Sequence, residues 1–228
     1  MRTEERQKLE SDALVLWVDR AWDWSVANRR RLLTWVAAAA GAALLTGGFL
    51  MNRSSQQADA RARLAELTRP IQEAMGGEAG QRAPCETVLP DLERLAASQG
   101  SSATGRSAAY YAGVCHRAFG DHEAAAARFA AARSRGGLLG DMATMAYAGV
   151  LRRVGNPEEA AAAYRSLLDG GAALPADPIL FELGVLEEEQ GRPEAAAVLY
   201  QRLSDEHPDS AFVELAEARR DRLPVEQR

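Results

Sequence analysis

Residues 144–168 read TMAYAGVLRRVGNPEEAAAAYRSLL. An apolar run ends in two arginines, a valine and a glycine. A turn through Asn156 and Pro157 follows, and two acids then open a second run free of helix breakers. Gly just past one helix, with Pro and acids at the head of the next, are stop and start signals for consecutive helices. The same layout recurs on both sides, as AAYYAGVCHRAFGDHEAAAARFAAA at 108–132 and LFELGVLEEEQGRPEAAAVLYQRLS at 180–204. The three align on Gly120, Gly155 and Gly191, at steps of 35 and 36 residues, with an aromatic nine positions past each glycine: Phe129, Tyr164 and Tyr200. Self-similarity at such a period marks a stack of supersecondary units that bury one core between neighbours.

Composition agrees. The 228 residues include 46 alanines, and aromatics are only 6%. Ala has the highest helix propensity and lets helix axes approach, whereas strands favour β-branched and aromatic residues. The expected class is all-α. Of 27 basic residues 26 are Arg, and the net charge is −5, so the basic footprint of a nucleic-acid binder is missing.

The repeats resemble the tetratricopeptide repeat, a helix–turn–helix unit of 34 residues. The matching residues are Gly113, Gly120, Ala125, Phe129 and Ala132; then Ala148, Gly155, Ala160, Tyr164 and Leu167; then Leu183, Gly184, Gly191, Ala196, Tyr200, Leu203 and Pro208. His116, Leu151 and Glu187 stand where the family usually has Tyr. The resemblance covers about 105–208. It implies that small residues let the two helices of a unit pack tightly and that the aromatic fills the gap between neighbouring units. It also implies a concave groove lined by the first helix of each unit. Those slots hold Tyr110, Tyr111, Val114 and Arg117; Met142, Met145, Arg152 and Arg153; and Phe181, Glu182, Val185, Glu188 and Glu189. Met and aromatic side chains offer adaptable apolar contact, and an Arg pair can hold a carboxylate bidentately. A peptide is the expected ligand; the alternative is an inner face that binds nothing tightly. Residues 211–223 (AFVELAEARRDRL) read as a capping helix, with Phe212, Leu215 and Leu223 inward and Arg219, Arg220 and Asp221 outward.

Residues 32–52 (LLTWVAAAAGAALLTGGFLMN) contain no charge and are long enough to cross a bilayer as one helix. Arg29, Arg30 and Arg31 precede the run and only Arg53 follows closely, which places the N-terminus in the cytoplasm and the repeats outside. A retained anchor is expected rather than a signal peptide, whose apolar stretch is shorter. The expected layout is a cytoplasmic segment at 1–31, with an interfacial helix carrying Trp17, Trp22 and Trp24; a transmembrane helix at 32–52; a juxtamembrane helix and linker at 53–83, with 76–83 flexible; and the repeat domain at 84–228, about three repeats plus the cap. Residues 84–98 read as one helix of a degenerate earlier unit.

Cys85 and Cys115 would lie in an oxidising compartment, where an even count suggests a disulfide. In repeat geometry they sit at adjoining ends of antiparallel helices; two buried thiols are the alternative. No metal-ligand spacing occurs, and Gly100–Ser107 lacks the Lys of a phosphate loop and reads as an interhelical loop. The Glu187–Glu189 run reads as a solvated face and His116 as a packed residue. No catalytic motif stands out, so neither an enzyme nor a cofactor is expected.

A short cytoplasmic segment, one span and an Ala-rich repeat domain resemble the ancillary subunit of the bacterial Sec translocon. That resemblance implies an inner-membrane protein with the translocon and periplasmic chaperones as partners. A scaffold for another envelope machine, for pili, secretion or division, is the alternative; an enzyme or ligand receptor is a third.

Overall fold

The computed structural model describes Trp22, Trp24 and residues 27–75, 82–134 and 136–224. The described residues form helices without strands, as the composition required. The chain divides into two units, Met1–Gln57 and Ala58–Arg228.

The first unit holds the start of α1 (Arg29–Met75), a helix long and apolar enough to cross a membrane, with none of its apolar window buried. The hydroxyls of Thr34 and Thr46 donate to the carbonyls of Arg31 and Ala42 at 2.7 and 2.8 Å. Both hydroxyls are thus satisfied within the helix. Trp17 and most of the expected interfacial helix lie outside the described residues; Trp22 and Trp24 are helical and exposed. Residues 76–81 of the expected linker also lie outside them.

The second unit begins within α1. It continues through α2 (Arg82–Gln99), α3 (Ala103–Phe119), α4 (His122–Ala132), α5 (Leu138–Arg153), α6 (Pro157–Asp169), α7 (Ala176–Glu189), α8 (Pro193–Glu206) and α9 (Val213–Arg220). Helices α3–α4, α5–α6 and α7–α8 are the three repeats. Consecutive helices pack on each other, and the leading helices touch as well, α3 with α5 and α5 with α7. The turn glycines take left-handed backbone, φ +89° at Gly120, +81° at Gly155 and +69° at Gly191, which ends each leading helix at low steric cost. Asp141 and Asp177 occupy the same place in α5 and α7, and each fixes the loop after the next helix. The Ala173 N–H donates to Asp141 Oδ2 at 2.7 Å, and the Ser210 hydroxyl to Asp177 Oδ2 at 2.6 Å.

Four local readings change. The compact unit does not start at residue 84: Ala60 and Ile71 of α1 are buried in the first core cluster with Cys85, Val88 and Leu92 of α2. The end of α1 thus covers an apolar face that α2 alone would leave wet. The aromatics pack inside their own repeats, Phe129 against Gly113 and Tyr200 against Gly184, rather than only between neighbours. In the cap Ala216 is the buried residue and Leu215 is 49% exposed, because α9 starts only at Val213. The interhelical loop at 100–107 is shorter than expected: α3 starts at Ala103, and the Ser102 side chain accepts the Gly105 N–H at 3.1 Å as its N-cap.

Candidate functional site

The leading helices carry the expected groove slots, and the fold sorts them into three sets. Tyr110 and Arg117 of α3 join Met142, Met145, Arg152 and Arg153 of α5 around one open cavity of about 570 Å³. Glu182 and Pro178 of α7 and Tyr164 of α6 also line it. Val114, Phe181 and Val185 are not groove residues. They are buried in the cores, because their places on the helix turn toward the second helix of the repeat or toward the cap.

The third set is bonded to neighbouring helices, with Tyr111 and Glu188 still partly exposed. The Tyr111 hydroxyl accepts from Gln72 Nε2 of α1 at 2.7 Å. Phe181 stacks on Phe212, centroids 5.1 Å apart, with the Arg219 guanidinium above it. Glu188 accepts from the Tyr200 hydroxyl at 3.0 Å and from Arg219 at 3.1 Å. Arg219 therefore faces inward rather than outward. The open cavity lies at the middle of the expected slots.

Charge in that middle is uneven. Arg152 bonds Glu182 at 3.3 Å and lies 3.8 Å from the exposed Glu189, so it is already partnered and does not act with Arg153 as a free pair. Arg117 and Arg153 are exposed and have no ion pair among the described residues; Arg117 lies over the Phe129 ring, 5.9 Å from its centroid. Burial raises the phenol of Tyr110 above its ordinary range, with Arg117 opposing. Burial also pushes Tyr164 strongly upward, reinforced by Glu182 and opposed by Arg152. Both groups are held as neutral hydroxyls that can donate.

The Glu187–Glu189 run is a solvated face only at its end: Glu189 is exposed, Glu188 half-buried and Glu187 buried. Glu187 is 1% exposed, and its carboxylate takes Arg165 of α6 on one oxygen and Arg192 on the other. His116 is a polar joint. Its Nε2 lies 2.9 Å from Glu93 Oε1, and Arg128 bonds both oxygens of the same carboxylate. Cys85 and Cys115, both fully buried, form a disulfide between α2 and α3, with Cα atoms 5.1 Å apart.

A second cavity, of about 780 Å³, lies among the loops around Gly136–Gly137 and Gly170–Gly171 and was not foreseen. Its buried carboxylate, Asp141, is the loop fastener described above. Tyr164 and Pro178 at the open groove were also missed, since Tyr164 reads in sequence only as the repeat aromatic. The signal was present in the hydroxyl itself, which Phe129 lacks at the same place.

The tetratricopeptide repeat family model matches residues 179–210, from the first turn of α7 through the Gly191 turn and α8 to Ser210. No curated protein matches the chain. A matched repeat within an all-helical chain gives the chain a tetratricopeptide-repeat character and suggests a protein–protein interaction module. Such stacks present extended surfaces to partners.

Proposed function

We propose that the protein is a non-catalytic, membrane-anchored interaction module that receives polypeptide segments in the open middle of its groove, as a translocon-associated chaperone adaptor. The observation that carries the binding role is the cavity between α3, α5 and α7. It combines two methionines, two tyrosines and two uncompensated guanidiniums, a few convergent polar groups on an apolar wall. Anchoring rests on α1. The buried Cys85–Cys115 bond favours an oxidising compartment for the repeats, as does the Arg29–Arg31 cluster ahead of the span. The cytoplasmic membrane of a bacterium, with the repeats in the periplasm, meets both conditions. The translocon role rests on the resemblance of the whole layout.

The test is photocrosslinking in native membranes from Met145, with Leu215 on the exposed face of the cap as control. Translocon subunits, periplasmic chaperones or many nascent clients trapped at Met145 alone support the adaptor role. One fixed envelope component would make the protein a scaffold instead. Equal trapping from Leu215 would remove the groove from the account.

A further inference from the structure

We propose that the loop cavity around Gly136–Gly137 and Gly170–Gly171 holds a small zwitterion, a free α-amino acid, with its ammonium group on Asp141, Thr144 and Ser166 and its carboxylate on Arg133. This cavity shares no lining residue with the one in the groove, so the site is separate from the peptide-binding reading above.

Three lining side chains can accept and cannot donate. Asp141 is 8% exposed. Its Oδ2 takes the Ala173 N–H at 2.7 Å, while Oδ1 has no hydrogen-bond partner among the described residues. Thr144 stands three residues on, on the same face of α5, and is 7% exposed. Its hydroxyl donates to the Gly140 carbonyl at 2.8 Å. The hydroxyl of Ser166 in α6 donates to the Ala163 carbonyl at 2.7 Å. What these side chains have left is lone pairs and one negative charge. An ammonium group, with three donors and no acceptor, is their complement.

Fastening the loop does not account for this. It uses one oxygen of Asp141. The other oxygen of a nearly buried carboxylate is left without a donor, which is unfavourable until something supplies one. Asp177 fastens the corresponding loop of repeat 3 through the Ser210 hydroxyl, but it is only half-buried, so water can reach it.

The second charge belongs to Arg133, the cation among the lining residues. It is exposed, and its guanidinium lies over the Tyr147 ring, 4.8 Å from the centroid, with no ion pair among the described residues. A guanidinium placed on a ring keeps its N–H edge for a carboxylate. The cavity thus carries one charge of each sign, and the two are not bonded to each other. A ligand with one of each answers both. The volume of about 780 Å³, with Ala130, Leu167 and Ala172 as apolar lining, is that of a small-molecule site and leaves room for a side chain.

The experiment titrates full-length protein in detergent with free amino acids by calorimetry. Companion probes are the N-acetyl amino acids, which lack the ammonium, and the decarboxylated amines, which lack the carboxylate. Nα-acetyl-lysine amide stands for the lysine side chain of a partner protein. At least one free amino acid should bind about tenfold or more tightly than its N-acetyl form and about three- to tenfold more tightly than its amine. Asp141→Asn keeps an oxygen for the Ala173 N–H and should weaken binding by about tenfold. Arg133→Gln, at an exposed position that does not endanger folding, should bring the amino acid down to its amine and leave the amine unchanged. Asp177→Asn should change neither. N-acetyl forms that bind equally, or an equal loss in Asp177→Asn, would overturn the ammonium site. Amines as tight as the amino acids, or indifference to Arg133→Gln, would overturn the zwitterion. Tightest binding of Nα-acetyl-lysine amide would replace the free amino acid by a partner's lysine. No binding of any probe below about 10 mM would overturn the site altogether.

Discussion

The ring of Phe129 lies where a side chain on Gly113 would have to be: a Cβ there would meet the ring at 2.8 Å. Gly184 and Tyr200 repeat the relationship at 2.5 Å. The ring rests on the backbone of the leading helix, and a glycine at that place lets the two helices approach. Gly184→Ala should therefore destabilise by about 1–2 kcal/mol, an overpacking cost partly offset by the higher helix propensity of Ala. Gly149, one place further round α5, meets only the Tyr164 hydroxyl at 3.6 Å. Gly149→Ala should be neutral or stabilising by up to about 1 kcal/mol. Urea unfolding of the two variants checks the contrast, and equal costs would mean that the rings tolerate a methyl group.

Glu187 ties repeat 2 to repeat 3 through Arg165 and closes on Arg192 at the turn. Removing one member of a buried ion pair is costly because the remaining charge is stranded. Here the survivors would be arginines that are each about half exposed, so they can rehydrate. Glu187→Gln should cost about 1–3 kcal/mol and Arg192→Gln clearly less. Denaturation midpoints decide, and a larger loss at Arg192 would invert the assignment of the buried partner.

The repeats were legible because their signals are local. A glycine at the turn, Pro and acids at the next helix start, and an aromatic nine places on are all read within one unit. The burial of Glu187 was not legible, since three consecutive glutamates look alike until Arg165, in another repeat, is brought beside the first of them. The partners of the groove slots were hidden for the same reason. Tyr111, Phe181 and Glu188 fall on the expected face of their helices, but Gln72, Phe212 and Arg219 meet them there. Helix periodicity gives a face; it does not say which neighbour arrives to meet it.

The Cys85–Cys115 bond closes a loop with a sequence separation of 30. In the chain-entropy account this restricts the unfolded ensemble by about 3–4 kcal/mol. Replacing both residues by Ala should lower stability by about that much, with the loss concentrated in α2 and the end of α1. Both sulfurs are buried, so native protein should resist alkylation until reductant and denaturant are added together. Hydrogen exchange of the double variant locates the loss, and unchanged protection in α2 would show that the helix docks without the bond.

Tyr164 and Tyr200 make the repeats sensitive to alkali. Burial is the larger cause that raises both phenols well above their ordinary value, and the Glu188 hydrogen bond adds to it at Tyr200. Below about pH 10 both hydroxyls keep their protons in native and unfolded chains alike, and their contribution is constant. Above it the unfolded chain ionises while the native chain holds its protons, so the unfolded state binds fewer and stability falls as pH rises. The slope approaches about 1.4 kcal/mol per pH unit for each tyrosine until the native value is reached. Urea midpoints should therefore be level from pH 8 to 9.5, to about 0.5 kcal/mol, and drop by about 2–3 kcal/mol toward pH 11, with Tyr164→Phe shallower than the parent over the same range. A parent curve that stays level to pH 11 would mean that both phenols ionise in the native chain as readily as in the unfolded one.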